Sequence, residues 1–268
     1  MLACALKRVR LSVNNIIYLS APAPVSMAAE WFEIATPQDF WIQRRMEALR
    51  KLGAGLDFQG KKVGEIGCGN GLVQQQFGEH FGLKVDGFDL DEAVLLRSIA
   101  SGHPRYYYNI FDRHPRFASV YDMLVLFDVL EHIELEGPFL EALCFHLKPG
   151  GYLLLNVPAL TCLYSRYDQV MGHWRRYTLG SLEAACSAAG LKKVAETYWG
   201  LPYVPMLWLR KLWLSRNKNP EEVVRRGYHP PGGQWGNWML SCLGALEPLP
   251  QRLFGTSVMA IYRKETAA

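Results

Sequence analysis

The sequence lacks the features of a disulfide-bonded or membrane-spanning protein. Its six cysteines are spread along the chain and include no CxxC pair, so their spacing predicts neither a zinc site nor a disulfide framework. No stretch approaches the roughly 18 uninterrupted apolar residues that a membrane-spanning helix needs. These absences indicate a cytoplasmic protein in a reducing compartment.

The sequence also lacks a large excess of charge of one sign. The chain holds 29 lysine and arginine residues against 25 aspartate and glutamate residues, a net charge of +4 over 268 residues. The basic residues are scattered, apart from short pairs such as Arg175-Arg176. A nucleic acid partner is therefore not expected, because such a partner calls for a dense basic surface. Half of the residues are apolar, which is ordinary for a globular protein with a buried sheet.

The first 36 residues are interpreted as a loose N-terminal extension. Basic residues precede a modestly apolar stretch, but polar residues and prolines, such as Asn14 and Pro22, interrupt it. That pattern is a poor signal peptide. Met27 is an alternative start of the chain.

From about residue 62, short β-rich runs alternate with helical stretches. This alternation predicts an α/β fold with a mainly parallel, doubly wound sheet. The predicted strands are 62–66, 84–90, 105–110, 123–127, 152–157, 193–198 and 257–263. The predicted helices are 72–81, 92–100, 138–147 and 179–189, preceded by a helix over 37–52 that caps the opening of the sheet.

The segment from 200 to 253 breaks this alternation. It contains two apolar stretches, YVPMLWLRKLWLSR and NWMLSCLGALEPL, joined by a loop-like HPPGGQWGN. The pattern predicts a helical insertion before the last strand. Three roles stay open for it: a lid that brings Tyr203, Trp208 or Trp235 near an apolar ligand, plain core packing, or a helix on a membrane surface. The first two are favoured, because Trp and Leu at helical spacing usually form core.

A glycine-rich loop stands between the first strand and the first helix of the alternating region. The sequence KKVGEIGCGNGLVQQQF places Gly67, Gly69 and Gly71 there, where a tight turn needs residues without Cβ and a ligand can lie against the backbone. The spacing is GxGxG, not the GxGxxG that brings a dinucleotide pyrophosphate onto a helix N-terminus. Glu65 at the loop entrance repels phosphate but can hold an ammonium group. The structural alternative is a tight connection that binds nothing.

Asp89 lies about 20 residues beyond the loop, at the end of the next predicted strand. A carboxylate at this position can bind ribose hydroxyls. Asp91 in the same DGFDLDE segment is the competing candidate, and the structural alternative is a solvated carboxylate at a strand end.

An acid-histidine cluster follows the fourth predicted strand. If the chain turns helical at FDVLEH, then Asp128, Glu131 and His132 share one face, because they are spaced i, i+3 and i+4. Two carboxylates and an imidazole at the carboxyl edge of a sheet are a suitable ligand set for Mg²⁺ or a related divalent ion. The alternative is that Glu131 and His132 pair with each other or cap the turn. His173 in GHWRRYT is a candidate fourth ligand or general base, and otherwise a surface histidine.

Four segments in order, EIGCGNG, GFDLD, YDMLVLFDVLEHI and LKPGGYLLLNVP, resemble the successive motifs of class I S-adenosylmethionine-dependent methyltransferases. The resemblance covers about residues 38 to 200, and 257–263 is similar to the family's final antiparallel strand. It implies a Rossmann-like sheet of seven strands within a domain of residues 37–268. FWIQRRM and GHWRRYT resemble a bacterial branch often associated with quinone-like or cell-surface glycan metabolism.

The implied activity is methyl transfer from S-adenosylmethionine to a small-molecule or lipid-linked acceptor, as O-methylation. Peripheral contact with a membrane is a further expectation. The glycine loop and its entrance are implied to contact the methionine part of the cofactor through Glu65, Gly67, Cys68, Gly69 and Gly71. Asp89 is implied to bind the ribose, Leu90 to pack near the adenine and Asp128 to touch the cofactor. The adenine amine is left to Asn109 or Asp112.

The DVLEH segment is similar to the E-x-x-E-H of ubiquinone-pathway O-methyltransferases and small-RNA 2′-O-methyltransferases, where this motif binds a metal ion. Aspartate replaces the first glutamate here, so the side chain is shorter. The resemblance implies that Asp128, Glu131 and His132 hold Mg²⁺, with His132 and His173 as catalytic residues. Arg176 and its neighbour Arg175 are candidates for binding an acidic substrate group, and otherwise form a solvated pair.

Two other functions stay open. A NAD-dependent oxidoreductase also uses a glycine loop, although the GxGxG spacing, Glu65 and the final strand fit it less well. A catalytically inactive methyltransferase-like protein would use the insertion to bind a membrane or a partner. The intact cofactor loop favours catalysis over this second alternative.

Overall fold

The computed structural model describes residues 10–13, 15–22, 35–100, 102–228 and 232–266, and the alternative start at Met27 lies outside them. The strands, numbered along the chain, are β1 Arg10–Val13, β2 Ile16–Tyr18, β3 Val63–Ile66, β4 Val85–Asp89, β5 Arg105–Tyr107, β6 Tyr121–Phe127, β7 Leu147–Pro158, β8 Leu191–Trp199 and β9 Ser257–Lys264. Within the described residues they form a nine-stranded sheet in the order β1-β2-β5-β4-β3-β6-β7-β9-β8.

Helices connect most of these strands. The α-helices, again numbered along the described chain, are α1 Phe40–Leu52, α2 Leu72–Phe81, α3 Glu92–Leu96, α4 Glu136–His146, α5 Arg166–Met171, α6 Leu179–Ala188, α7 Val204–Leu214, α8 Pro220–Tyr228 and α9 Gly233–Ala245. Short 3₁₀ helices occupy Ile110–Asp112, Pro115–Phe117, Leu130–His132, Thr161–Leu163 and Leu201–Tyr203.

The middle of the sheet is parallel and one side is antiparallel. Strand β3 pairs in parallel with both β4 and β6, so Val63 lies opposite Val85 on one side and Met123 on the other. Strand β9 returns antiparallel between β7 and β8. The predicted α/β, doubly wound, Rossmann-like fold class is confirmed. Since parallel strands end at one edge of a sheet, the loops after β3, β4 and β6 meet there.

The sheet has two more strands than the seven predicted. Strands β1 and β2 come from the part of the sequence interpreted as the N-terminal extension, and β2 pairs in parallel with β5, with Ile16 opposite Arg105. Ile16 is fully buried in a cluster with Leu95 and Tyr107. Strands of three and four residues are too short to show a period of two, so alternation along the sequence does not reveal them.

Both faces of the sheet are covered by helices. Successive residues of β6 point to opposite faces, as side chains along a strand do. Val125 packs with Met46 of α1 and Phe77 of α2, whereas Leu124 packs in a second cluster with Leu140 of α4. Each such side chain contributes about 1.5–3 kcal/mol when it is fully buried. The two apolar layers fix the strands, and with them the residues at the strand ends.

The segment between β8 and β9 is helical, as predicted, and is fastened to α1. The buried carboxylate of Glu247 accepts hydrogen bonds from the backbone N–H groups of Gly200 at 3.0 Å and Leu201 at 2.9 Å. It also forms an ion pair of 3.1 Å with Arg44 of α1. One side chain thus joins both ends of the insertion to the rest of the fold. Among the described residues, no helix combines the length and apolarity needed to cross a bilayer.

Candidate active site

A cavity of about 400 Å³ opens at the carboxyl edge of the sheet. Its wall combines the glycine loop after β3, the ends of β4 and β6, α1 and the insertion. The lining residues include Glu65, Gly69, Asp89, His173 and Tyr203. The predicted ligand loop, the acid-histidine cluster and the insertion therefore face a common space.

The glycine loop adopts a backbone that only glycine accommodates easily. Gly67, Gly69 and Gly71 have φ angles of 72°, 54° and 86°, in the left-handed region. A Cβ atom on Gly67 would lie 2.4 Å from a methyl carbon of Val129, and one on Gly71 would lie 2.7 Å from the hydroxyl of Ser98. The loop packs this closely against its neighbours while Gly67 and Gly69 line the cavity. A ligand can therefore approach the backbone itself.

Glu65 is buried at the entrance of this loop and keeps one oxygen unused. Its Oε2 atom has no hydrogen-bond partner among the described residues. Burial raises the pKa of Glu65 well above its usual value, and the nearby Arg45 guanidinium only partly offsets that effect. Cys68, the next side chain in the wall, is buried as well, and burial raises the pKa of its thiol. The free carboxylate oxygen fits a positively charged hydrogen-bond donor.

Asp89, rather than Asp91, faces the glycine loop. Its carboxylate accepts backbone hydrogen bonds from Gly69 at 2.8 Å, Leu90 at 2.7 Å and Asp91 at 2.9 Å. The Asp91 side chain instead caps α3 by accepting the N–H of Val94 at 3.2 Å. A carboxylate has about four acceptor positions, so Asp89 keeps capacity for a hydroxyl donor. Burial raises the pKa of Asp89, although these three N–H groups oppose the shift.

The end of β5 and the chain after it complete the part of the cavity around the glycine loop and Asp89, which we call the cofactor half. Leu90 and Asn109 both line the cavity, and the hydrophobic residues Ile110 and Phe111 lie beside them. Asp112 is not part of the described cavity wall. Of the two candidates for the adenine amine, Asn109 is the one at the cavity.

The acid-histidine cluster forms differently from the predicted helical face. The chain makes a 3₁₀ turn over Leu130–His132, and Asp128 before it has a left-handed φ of 55°. The Asp128 carboxylate is engaged by Arg45 at 2.6 Å and by the side-chain amide of Asn156 at 2.7 Å. The structure therefore does not bring Asp128 into one group with Glu131 and His132, and its role as a metal ligand stays a prediction. Asp128 lines the cavity as the partner of a buried arginine.

His173 takes the place predicted for Asp128. One ligand atom each from Glu131, His132 and His173 lies within 4.8 Å of the others, the one such group found in the described part of the chain. The two imidazole rings meet edge to face with centroids 4.7 Å apart. The alternative of a histidine on a surface loop does not hold for His173, because its ring lines the cavity and its side chain is 10% exposed.

Two buried atoms of this cluster lack partners. Glu131 Oε2 and His132 Nδ1 are buried without a hydrogen bond among the described residues. Burial, with Asp128 nearby, raises the pKa of Glu131 well above its usual value. Burial, with a contribution from His173, lowers the pKa of His132 to about 3, so the ring is neutral at physiological pH. A neutral imidazole with an open nitrogen beside an open carboxylate oxygen fits a divalent cation.

Asp168 orients His173. Its buried carboxylate accepts from Nδ1 of His173 at 3.0 Å, from Nε of Arg176 at 2.8 Å and from the backbone N–H of Ser165 at 2.8 Å. Burial acts to raise the pKa of Asp168, but the bonds from His173 and Arg176 hold it well below its usual value. An anionic partner at Nδ1 keeps the proton there and leaves Nε2 of His173 as the acceptor.

The two neighbouring arginines separate. Arg176 is buried and lines the cavity, where it also donates to the carbonyl of Ala159 at 3.0 Å. Arg175 turns away and pairs with Glu136 at 3.0 Å. Of these two arginines, Arg176 is therefore the one placed to act on a ligand in this cavity.

The insertion contributes one of its three predicted aromatics to the cavity. Tyr203 is buried, lines the cavity and donates to the carbonyl of Leu240 at 2.8 Å. Trp208 and Trp235 are 45% and 68% exposed and lie outside the wall. Of the three alternatives for a contact with an apolar acceptor, the structure therefore places only Tyr203 at the cavity. Met206 and Leu207 are the apolar residues of α7 that line the cavity.

Arg45 is a cavity residue that the sequence patterns did not single out. It is buried on α1, pairs with Asp128 and lies 5.1 Å from the ring centre of Phe127. The signal in the sequence was weak: two adjacent arginines, Arg44 and Arg45, within a helix that otherwise carries apolar residues on its buried face. Only the fold shows that both point inward.

Comparisons with known proteins show which proteins this chain is similar to. The family described as "Methyltransferase domain" matches residues 39–196. The chain is similar to the ubiquinone biosynthesis O-methyltransferase of Shewanella sp. (strain ANA-3), at 29% identity over 103 residues, 36% of this chain and 43% of that protein. The match thus spans less than half the length of this curated relative.

Solved structures with the same fold include two methyltransferases. A S-adenosylmethionine-dependent methyltransferase from Archaeoglobus fulgidus has a TM-score of 0.51 at 18% identity, over 84% of this chain and 96% of that chain. Phosphoethanolamine N-methyltransferase 2 of Haemonchus contortus, in complex with S-adenosyl-L-methionine, has a TM-score of 0.54 at 17% identity, over 84% of this chain and 53% of that chain. At such identities the likeness shows the fold alone. The family match, which extends from α1 into β8 and spans more than half of the chain, shows that this protein belongs to the methyltransferase domain family.

Proposed function

We propose that the chain transfers a methyl group from S-adenosylmethionine to a hydroxyl of a small-molecule or lipid-linked acceptor. The observation that carries the proposal is a cavity lined both by the glycine loop with Asp89 and by the Glu131, His132 and His173 cluster. Methyl transfer is an in-line attack, so the protein mainly has to align two ligands and exclude water. The similarity to named O-methyltransferases supports the choice of a hydroxyl acceptor.

The residues of the cofactor half fit S-adenosylmethionine. The free Oε2 of Glu65 suits its amino group, and the remaining acceptor capacity of Asp89 suits its ribose hydroxyls. Gly67, Gly69 and Gly71, with Cys68 between them, let its methionine part lie against the backbone, while Leu90 and Asn109 border the adenine and Asp128 with its partner Arg45 closes the wall. When bound, the cofactor supplies an electrophilic methyl group on a sulfonium. A dinucleotide is disfavoured, because its pyrophosphate would meet a buried acidic residue.

The acceptor half is proposed to lie at His132 and His173, which we take as the catalytic residues. The unpartnered Nδ1 of His132 and the Nε2 of His173, together with Glu131, would also hold a divalent ion. Two imidazoles and one carboxylate suit Mn²⁺, Fe²⁺ or Zn²⁺ better than the Mg²⁺ expected from the sequence. Such an ion would supply Lewis acidity that makes an acceptor hydroxyl easier to deprotonate. Asp168 and Arg176 hold His173 in place for either role.

A lipid-linked acceptor and peripheral membrane contact are proposed from the outer face of the insertion. Leu209, Leu212 and Trp213 of α7 are 69%, 63% and 59% exposed. Residues 200–253 hold seven lysine and arginine residues against three acidic ones, a net charge of +4 that equals the net charge of the whole chain. Apolar and aromatic residues beside basic ones are typical of a surface that lies on an anionic bilayer.

The test of the function uses the glycine loop. S-adenosylhomocysteine should raise the melting temperature of the purified protein, because a ligand that binds only the folded state stabilises it. Gly69→Val should abolish this rise by placing side-chain atoms where the ligand lies. Gly60→Val is the matched control, since Gly60 has a similar φ of 66° but open space around it. Both variants should lose stability by about 1–2 kcal/mol. An unchanged affinity in folded Gly69→Val protein would remove this site assignment.

A further inference from the structure

Arg210 occupies a core position of an otherwise apolar helix. Leu207 and Leu214 of α7 are buried, and residue 210 stands three positions after the first and four before the second, on the same helical face. Leu209 and Leu212, on the other faces, are exposed. The arginine therefore points inward, and its side chain lines the cavity.

The Arg210 guanidinium is only partly satisfied. Nη1 donates to the carbonyl of Gly227 at 2.7 Å, and the group lies 4.3 Å from the ring centre of Tyr167. Nε is fully enclosed and has no hydrogen-bond partner, and no partner is seen for Nη2 among the described residues. The Nε edge thus holds two donors without a partner, in the fork geometry that a carboxylate or phosphate accepts in a bidentate manner once the side chain turns it toward the ligand.

No carboxylate in the described residues forms an ion pair with Arg210. Asp168 lies nearby, but its two oxygens already accept from Ser165, His173 and Arg176. Burial is the main effect that lowers the pKa of Arg210, and the neighbouring Arg176 adds to it. Both oxygens of Asp168 are thus occupied, and Arg210 lies in this part of the cavity without a carboxylate of its own. A buried charge is costly unless something pairs with it, so an anionic ligand is the expected complement.

We propose that Arg210 binds an anionic group, a carboxylate or a phosphate ester, on the methyl acceptor. Arg210 neighbours Tyr167, Asp168 and Arg176, whereas Arg45 is the arginine that acts on Glu65 at the cofactor loop. The anion therefore lies beside His173 and not at the methionine part of the cofactor. This inference rests on the proposed function in naming the ligand an acceptor, but its chemistry can be tested without turnover.

The experiment measures binding to protein saturated with S-adenosylhomocysteine, by isothermal titration calorimetry. The probes are benzoate and phenyl phosphate, which carry the anion, and benzamide, which has the same ring without charge. Wild-type protein should bind at least one anion about tenfold or more tightly than benzamide. The better of the two anions identifies the group as carboxylate or phosphate.

Arg210→Gln should lose this preference, and Arg210→Lys should keep only part of it, because a lysine retains the charge but not the fork. Arg216→Gln is the control, since Arg216 lies just beyond the same helix and is exposed. All variants should bind S-adenosylhomocysteine as the wild type does, which also shows that they fold. Equal binding of anions and benzamide by the wild type would overturn the inference, as would a preference kept in folded Arg210→Gln protein. A loss of S-adenosylhomocysteine affinity in Arg210→Gln would also overturn it, by moving Arg210 to the cofactor. Anion preference without methyl transfer to any acceptor would leave the inference standing and count against the proposed function.

Discussion

Glu65 and Glu131 each bury a carboxylate oxygen that has no hydrogen-bond partner among the described residues. A buried polar atom left unpaired costs about 1–3 kcal/mol. The pKa values of both residues are raised, because protonation removes a charge that is costly to bury. Buried polar atoms without a partner are expected at functional sites, where a ligand supplies the missing hydrogen bond.

Replacing Glu65 with glutamine should flatten the pH dependence of the ligand-free protein's stability. Burial raises the pKa of Glu65 above its usual 4.5, so the folded state holds this proton more tightly than the unfolded chain does. The resulting stabilisation is full below about pH 4.5 and is lost as the pH rises through the folded pKa, by up to about 1.4 kcal/mol per pH unit. Wild-type protein should therefore lose free energy of unfolding relative to Glu65→Gln as the pH rises above about 4.5 in urea titrations.

Glu221→Gln serves as the control for this experiment, because Glu221 is exposed. It should follow the wild-type curve. Saturating S-adenosylhomocysteine should narrow the gap between wild type and Glu65→Gln, since its amino group gives the ionised carboxylate a partner. Identical curves for the two ligand-free proteins would contradict a raised pKa of Glu65 in the folded protein.

Removing one member of the acid-histidine cluster should abolish divalent metal binding but leave cofactor binding in place. Mn²⁺ titrated into metal-free protein should bind at one site, and His173→Ala and Glu131→Gln should each weaken it at least about tenfold. His132 is neutral above its pKa of about 3, so it can act as a ligand through the physiological range. Excess chelator should suppress turnover, and Mn²⁺ should restore it.

His80→Ala is the matched control, because His80 is exposed at the end of α2. It should bind Mn²⁺ as the wild type does. Full turnover in excess chelator would contradict the need for a metal ion. His132 and His173 would then act as proton acceptors for the same reaction.

At the scale of elements, the sequence predicts best where the local signal is strong. Helix α2 has its predicted bounds because Gly71 and Gly82 at its two ends both take a left-handed backbone. Helix α3 is shorter than predicted, ending at Leu96 instead of residue 100. The chain turns back there, and the N–H of Ile99 bonds to the carbonyl of Asn70 in the glycine loop. That contact belongs to the tertiary structure, which periodicity cannot show.

Because sequence patterns are local, they also do not show the contacts of Asp128 and Arg210 at the site. The i, i+3, i+4 spacing of Asp128 with Glu131 and His132 predicts convergence only if the turn is α-helical. The partner that holds Asp128 is Arg45, 83 positions away, and no local pattern encodes that pairing. The sequence likewise indicates a surface charge at Arg210. Its inward direction follows only from the buried positions of α7 in the structure.

The exposed face of α7 should bind anionic vesicles. Leu212→Ser combined with Trp213→Ser should reduce co-sedimentation with phosphatidylglycerol vesicles about tenfold or more, because each buried side chain contributes about 1.5–3 kcal/mol. Neutral phosphatidylcholine vesicles should bind the wild type less, since the insertion carries a net charge of +4. Cofactor affinity should not change, because both residues lie outside the cavity wall.

Leu135→Ser is the control for this surface, since Leu135 is 67% exposed but lies outside the insertion. Lys211 is the basic residue to neutralise on this face, and Arg210 is not, because it points inward. Equal sedimentation of wild type and the Leu212/Trp213 variant would leave the exposed face without a membrane role.

At the scale of the whole molecule, the cavity exists only when α1, the sheet edge and the insertion come together. The sequence predicts each of these parts, and it predicts the cofactor loop in detail, because motifs are local. It cannot predict how the insertion seats on α1, since the contacts that fasten it join residues about 200 positions apart, such as Arg44 and Glu247. The start and end of this segment share one buried carboxylate, which fastens the segment over the cavity.

The Arg44 and Glu247 ion pair should stabilise the whole fold. Both side chains are buried, and Glu247→Gln keeps an acceptor oxygen for only one of the N–H groups of Gly200 and Leu201 and leaves Arg44 with Glu47 as its remaining counter-charge, at a cost of about 1–3 kcal/mol. Arg44→Met should also destabilise, whereas the double variant should lose less than the sum of the two single losses, because neither charge is then unpaired. Urea denaturation of the four proteins measures this cycle, with S-adenosylhomocysteine affinity below the transition as the check that the cofactor half is intact. Strictly additive losses would mean that the pair does not join the insertion to α1, and that apolar packing alone closes the cavity.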